Sequence, residues 1–276
     1  MHLRCLAYRH LPRLSGMAQR PTRSLKHEYE LFVEQEIENY KESVPRSVLL
    51  SIGDDAVSSL SAAPQFALTE LLLCEEVDRI IFKRLRLPSY DTWRRRRVKL
   101  IDELRRPEHW GLRPDDMLVR ALPSASDGSV LVAGAADEKS ALYLAANGCD
   151  VTTLTAGAEA VERVMQAAIG AGLAGRVHVH TGDLSSWTPE RSLSAVIVNP
   201  TVLDGLSTTE RARVFEVLQG ATADGGVHLV QTIASTGKSN GALSLEELRS
   251  RYRGWTVTVE RTDGRAKTFL ARKGAA

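Results

Sequence analysis

Cysteine is scarce. The 276-residue chain has three, Cys5, Cys74 and Cys149, odd in number, widely spaced and without a partner motif. That usage excludes a disulfide framework and a cysteine-rich zinc site, and it is what a reducing, cytoplasmic setting leads one to expect. Long apolar runs are missing too: none approaches the roughly 18 residues a membrane-crossing helix needs, so no membrane partner is expected. The N-terminal stretch lacks the apolar core of about 7–15 residues that a secretory signal requires. Net charge is almost absent, with 36 Lys and Arg against 34 Asp and Glu, formally +2. Against these shortages, 43% of the residues are hydrophobic, enough for a real core in one large or two modest domains and too many for a disordered chain.

The small net charge hides two basic blocks on an otherwise acidic chain. Residues 1–26 hold six Lys and Arg with no Asp or Glu, and residues 79–106 hold eleven Lys and Arg against three acids. Residues 1–23 are basic and interrupted by proline, with no apolar period. They read as a disordered leader, with Met17 as a second candidate start, and no function is assigned to them.

From 24 to 107 the pattern is helical. Leu25, Tyr29, Phe32 and Ile37 recur at helical steps behind Ser24, a good N-cap. A second helix is expected over Val48–Leu60 with Ile52, Val57 and Leu60 on one side. A third follows Pro64, with Leu68, Leu71, Leu72, Val77, Ile80, Ile81 and Leu85 as a wide apolar face. Pro88 ends it, and Ser89 caps a fourth helix running to Arg106. A joining segment, 107–129, separates this all-α unit from residues 118–276, where the rhythm becomes alternating strands and helices. Strands are expected at 130–134, 149–154, 176–183, 194–199 and 225–233, with helices at 138–147, 157–171, 207–219 and 244–252. Such alternation means a parallel sheet covered by helices on both faces. Two last strands, 255–261 and 267–273, flank Asp263-Gly264 and read as a β-hairpin.

The stretch VLVAGAADEKSALYLAANGCDVTTLT (130–155) resembles, without gaps, the first two strands and glycine loop of the class I S-adenosylmethionine-dependent methyltransferases. TGDL (181–184) is similar to the place where that family sets an acid near the adenine. TADGGVHLVQT (222–232) resembles its proline-glycine-glycine turn into the fifth strand, with Asp224 at the proline position. The resemblance spans roughly 118–273. It implies a Rossmann-like, mostly parallel seven-stranded sheet with a C-terminal antiparallel hairpin, S-adenosylmethionine as cofactor, and a helical N-terminal cap of the kind that sets acceptor choice. By position it implies Gly134, Ala135, Ala136, Asp137, Thr155, Asp183, Leu184 and Asn199 as the cofactor-binding set.

Several positions depart from the family pattern. Val132 stands where the family usually has an acid. Of three loop glycines only Gly134 is kept, with Ala136 and Glu138 at the others, and Glu138 adds bulk and negative charge where backbone N–H groups should meet a ligand. Thr155 replaces the acid that would grip both ribose hydroxyls, and Ser194 the aspartate that opens strand four. Each lost charge-assisted bond weakens binding by roughly 1.5–3 kcal/mol. Two functions remain: a methyltransferase with rewritten cofactor contacts acting on a small-molecule acceptor, or a methyltransferase-like scaffold without turnover.

Other motifs carry less. NPTV (199–202) lacks the second proline and aromatic of the amino-methylating Asn-Pro-Pro-aromatic signature, which argues against adenine N-methylation. His178 and His180 form an H-x-H pair with no third ligand nearby, so no metal is assigned. STGKS (235–239) follows the fifth strand and has Thr232 where a P-loop needs glycine, and is rejected. Arg94–Arg97, beside Tyr90, Trp93 and Trp110, suit an anionic or RNA partner, as in an RNA-modifying methyltransferase, or a solvated, partly paired charge run. No catalytic base is identifiable; His178, His180 and Asp204 qualify by location alone.

Overall fold

The structure is a computed structural model that describes residues 24–61, 70–122, 128–134, 138–155, 157–232, 243–262 and 266–274. The chain forms two compact units that divide between Arg97 and Val98.

The first unit is helical. Its elements are α1 (Leu25–Ser43), α2 (Arg46–Ser61), α3 (Glu70–Arg84) and the start of α4 (Tyr90–Leu104). Ser24 caps α1, its side chain accepting from His27 N–H at 3.2 Å. Val44, extended before Pro45, ends it, as the residue ahead of a proline is disposed to do. The core is small: Ile37, Ile52 and Ile81 are buried, with Val33, Tyr40, Val77 and Phe82 packed against them. The apolar faces anticipated for α2 and α3 are covered only in part, since Leu71 is 68% exposed and Val57 38%. At one corner Tyr29 meets Tyr90 edge-on and Trp93 tilted, ring centroids 5.5 Å apart in each case, while its hydroxyl donates to Pro88 O at 2.9 Å.

The second unit begins inside α4, earlier than the 107–129 segment in which the sequence sets the break. Local bonds account for this: Trp110 Nε1 donates to Leu104 O at 2.7 Å, and Asn147 Nδ2 reaches Arg105 O at 3.3 Å, tying the end of α4 to the sheet unit. After α5 (Met117–Ala121) come β1 (Ser129–Ala133), α6 (Glu138–Ala146), β2 (Asp150–Thr155), α7 (Ala158–Gly170), β3 (Val177–Thr181), β4 (Leu193–Val198), α8 (Thr208–Ala221), β5 (Thr222–Thr232), α9 (Leu245–Arg251), β6 (Thr256–Thr262) and β7 (Ala266–Arg272).

These strands make one seven-stranded sheet in the order β3-β2-β1-β4-β5-β7-β6. β1 to β5 are parallel; β7 runs antiparallel to both β5 and β6. This is the Rossmann-like, mostly parallel seven-stranded sheet with a C-terminal antiparallel hairpin that the sequence implies. Strand alternation sends Val130, Val132, Ala195 and Ile197 to one face, under α6 and α7, and Leu131, Ala133, Val196 and Val198 to the other, under α8 and α9. Val132, at the position of the usual acid, is fully inside the first of these cores, where a carboxylate would be desolvated. Ser194 lies at the amino end of β4, its hydroxyl on Ser129 O at 3.0 Å, and an added Cβ at Gly128 would fall 2.2 Å from that hydroxyl. The substitution of aspartate there is thus a matter of packing at the end of the sheet opposite its carboxyl edge. The Asp224-Gly225-Gly226 segment is an irregularity at the start of β5: register passes from Leu193↔Thr222 to Ala195↔Val227, and Gly225 takes φ +75°.

One buried polar network crosses the second face. His228 on β5 is wholly buried, with Nε2 2.6 Å from Thr222 Oγ1 and Nδ1 2.7 Å from Tyr252 Oη. Thr222 spends its proton on Leu218 O at 2.6 Å, so Nε2–H donates to Thr222 and Nδ1 accepts from Tyr252. Burial, with the charge of Lys273 adding to it, lowers the His228 pKa to about 3.

Candidate functional site

The carboxyl ends of parallel strands share one edge, and ligands of doubly wound folds bind outside that edge. Here the backbone ladder continues past the strands. Gly182 N–H donates to Thr155 O at 3.3 Å, Gly134 N–H to Leu154 O at 3.1 Å, and Asn199 N–H to Ala133 O at 2.8 Å. Asp183, Thr155, Gly134 and Asn199, called from separate stretches of sequence, therefore stand on one continuous rim across β3, β2, β1 and β4. Ala135, Ala136 and Asp137 lie outside the described residues.

Gly134 has φ +122°, a conformation that L side chains rarely adopt. A Cβ there would come 2.6 Å from Asn199 Cβ and 3.3 Å from Val202 Cγ1. The glycine is thus required first by its own chain, because the end of β4 closes over it. Gly134→Ala is expected to cost about 2–5 kcal/mol of stability, combining backbone strain and overpacking. Adding Asn199→Gly removes the Cβ–Cβ clash, so a double-mutant cycle by urea unfolding should show favourable coupling of about 1–3 kcal/mol; strict additivity would mean the contact does not matter.

Asn199 is buried and serves as a cap. Its Oδ1 accepts from Thr201 N–H at 3.1 Å and from Thr201 Oγ1 at 3.0 Å, opening the 3₁₀ turn Pro200–Leu203. This is a simple turn, and it engages the acceptor oxygen of the amide. Leu184 is buried among Leu131, Ala133 and Leu154, so its side chain belongs to the core.

Thr155 and Asp183 are different. Thr155 is 5% exposed, and its Oγ1 is buried without a hydrogen-bond partner among the described residues. A buried hydroxyl left unpaired costs about 1–3 kcal/mol, which a ligand or an ordered water at the rim would recover. Thr153, two residues earlier on the same face, is buried with its hydroxyl likewise unpaired. Nothing in the sequence singles it out, since a threonine in mid-strand reads as a good β former. Asp183 is exposed, and the turn after it is closed by backbone: Asp183 O accepts from Ser186 N–H and from Ser186 Oγ, each at 3.1 Å. Its carboxylate takes no part in capping and has no partner among the described residues.

Glu138, the first residue of α6, pairs with Arg163 of α7 at 3.0 Å, which offsets its charge at that helix N-terminus. His178 is explained locally: Nε2 lies 2.8 Å from Asp150 Oδ1, whose partner oxygen takes Arg191 at 3.0 Å. No group of three metal-ligating side chains occurs among the described residues. No described helix is long and apolar enough to cross a membrane. In the helical unit Arg97 Nε bonds Glu28 at 3.2 Å, while Arg94, Arg95 and Arg96 are exposed and have no ion-pair partner among the described residues. STGKS lies outside them.

No family model matches the sequence, and no curated protein matches it. Solved structures do resemble it. The glycopeptide N-methyltransferase MtfA, solved with S-adenosyl-L-homocysteine, shares 15% identity over 56% of this chain and 85% of its own, with a TM-score of 0.46. TehB from Haemophilus influenzae shares 18% over 56% of this chain and 61% of its own, with a TM-score of 0.49. The [4+2]-cyclase SpnF shares 16% over 58% and 80%, also at 0.49. Likeness at this level extends to the fold alone, and the fold rests on the sheet order and the antiparallel position of β7 described above.

Proposed function

We propose that this chain is an S-adenosylmethionine-dependent methyltransferase acting on a small-molecule acceptor, with its cofactor held along the rim from Asp183 to Asn199. One observation carries the reading: Thr155 Oγ1, at the end of β2, is buried without a hydrogen-bond partner among the described residues, and Asp183, just past the end of the neighbouring β3, presents an exposed carboxylate at the same carboxyl edge. These residues fit the cofactor. Thr155 can pair one ribose hydroxyl in place of the usual bidentate acid, and Asp183 can accept from an adenine amino group. Ala135, Ala136 and Asp137 belong to the proposed set by their place in the loop after Gly134.

When bound, the cofactor supplies an electrophilic methyl on a sulfonium together with its own leaving group. The chain's part is to orient and to exclude water. Gly134 and Asn199 lock the ends of β1 and β4 together, which fixes the floor on which a ligand rests. Asp183, held at the surface by its turn, sets the far end. Among the described rim residues none is positioned as a general base, which suits an acceptor that is already nucleophilic, such as a thiol or a carboxylate. The protein would act in the reducing cytoplasm; neither Cys74 nor Cys149 is in a disulfide. Arg94–Arg96 offer a surface for an anionic or RNA partner, held through phosphate contacts.

Thr155→Val separates a binding role from a structural one. The two side chains have nearly the same shape, so losing an unpaired buried hydroxyl should leave stability unchanged or raise it by about 1 kcal/mol. Affinity for S-adenosylhomocysteine should nonetheless fall about 5–10-fold, the loss of roughly one hydrogen bond. Undiminished affinity in the valine variant would remove Thr155 from the site. The second reading, a scaffold without turnover, is favoured by Asn199, whose side chain closes over Gly134 where the family pattern leaves room for a ligand. It predicts no binding of either cofactor form.

A further inference from the structure

The helical unit presents two surfaces of opposite charge. Between α1 and α3 runs a groove of about 450 Å³, lined in part by the aromatic residues Tyr29 and Phe82 and by the acids Glu30, Glu34, Glu38 and Asp78. On α1 the three glutamates recur every fourth residue, so they form one edge. Lys41 bridges Glu38 at 2.7 Å and Asp78 at 2.8 Å, and His27 approaches Glu30 at 3.7 Å, while Glu34 has no ion-pair partner among the described residues. The second surface lies on α4. Trp93 and Arg97 turn toward α1, Trp93 against the Tyr29 ring with centroids 5.5 Å apart and Arg97 on Glu28 at 3.2 Å. The three arginines between them, Arg94, Arg95 and Arg96, are exposed and have no ion-pair partner among the described residues. Tyr29 borders both surfaces, lining the groove and packing on α4, so α1 is what lies between them.

We propose that this groove receives Arg94–Arg96 of a second copy of the chain, in a two-fold dimer where each copy gives its α4 arginines and receives those of the other. Charge complementarity selects this occupant. A chain with an acidic and a basic patch one helix apart is complementary to itself: a two-fold rotation brings each patch against its opposite, twice, through the same contacts. Guanidinium chemistry suits the groove as well. The planar fork pairs with a carboxylate through two bonds at once, its flat face stacks on aromatic rings, and its aliphatic stem covers apolar surface. A foreign basic peptide would fill the groove and leave the arginines unmatched; a nucleic acid would match the arginines and leave the carboxylates. A second copy answers both with one contact. Exposed ion pairs are individually weak and screened by salt, so the dimer is a weak and salt-sensitive one.

Sedimentation velocity on the full chain, freed of nucleic acid by nuclease, tests this. At about 100 µM protein and about 20 mM salt a dimer is expected, and about 0.5 M salt should return it to monomer. Glu30→Lys/Glu34→Lys and, separately, Arg94→Glu/Arg95→Glu/Arg96→Glu alter only exposed side chains. Each alone should weaken dimerisation at least about tenfold. Mixed in equal amounts, the two variants should regain the dimer of the unaltered chain, because one half of the interface then keeps its native charges and the other has both reversed. Unchanged helical circular dichroism shows that each variant is folded. A monomer at low salt, a dimer indifferent to both sets of substitutions, or folded variants that fail to complement each other would overturn the proposal. So would association that occurs only when nucleic acid is left in the preparation.

Discussion

Replacing His228 with alanine is expected to destabilise the sheet unit by about 3–6 kcal/mol, through the cavity left by a wholly buried ring and the loss of the acceptor for the Tyr252 hydroxyl proton. Thr222 is spared, because its proton already goes to Leu218 O. The surroundings cannot easily collapse into the gap. Tyr252 meets Trp255 edge-on and Phe269 tilted, with ring centroids 5.3 Å apart in each case, and His228 itself lies 4.9 Å from Trp255 and 5.5 Å from Tyr252. The melting temperature should fall by on the order of 10 °C.

The same residue carries a pH signature with a defined sign. Its folded pKa, about 3, lies below the ordinary histidine value of 6.5 because burial disfavours the cation and Lys273 adds repulsion. The unfolded chain therefore takes up a proton that the native chain refuses. The stability that His228 contributes is fully present above pH 6.5 and drains away as pH falls toward 3, by up to about 1.4 kcal/mol per unit. The gap between the unaltered protein and the alanine variant should narrow by about 2 kcal/mol between pH 7.5 and pH 5, measured by urea unfolding. A gap that stays constant or widens would show that the ring is not held neutral.

The second large effect concerns the ligand. Asp183→Ala is expected to weaken S-adenosylhomocysteine binding tenfold to more than a hundredfold, the cost of one hydrogen bond to a charged acceptor, with little change in stability. Stability is spared because the carboxylate is exposed and the following turn is closed by the Asp183 carbonyl, which alanine keeps. The two rim variants thus differ in kind: loss of Asp183 removes a charged contact, whereas loss of Thr155 removes one neutral bond and relieves a buried unpaired hydroxyl.

Much of this architecture is legible in the sequence because it depends on local periodicity. Alternation in VLVAG and SAVIVN sorts side chains to two faces, and the structure places Val130 and Val132 on one and Leu131 and Ala133 on the other. What the sequence conceals are contacts between residues far apart in the chain. Gly134 reads as a ligand-approach glycine, yet its tightest neighbour is Asn199, brought in by the β1–β4 pairing. His228 sits inside an apolar strand pattern that gives no hint of Tyr252 or Thr222 beside it. Leu71 belongs to an apolar stripe that implies burial, but the small helical core leaves it exposed. Of the site, the rim positions could be read from where strands end. The unpaired state of Thr155 could not, because satisfaction of a hydroxyl is decided by its three-dimensional surroundings.

Calorimetric titration of the full chain with S-adenosylhomocysteine and, separately, S-adenosylmethionine tests the central claim most directly. A working cofactor site predicts micromolar binding that weakens at least tenfold in Asp183→Ala. Absence of heat for both ligands, from protein shown to be folded, would contradict it and leave the fold as a scaffold.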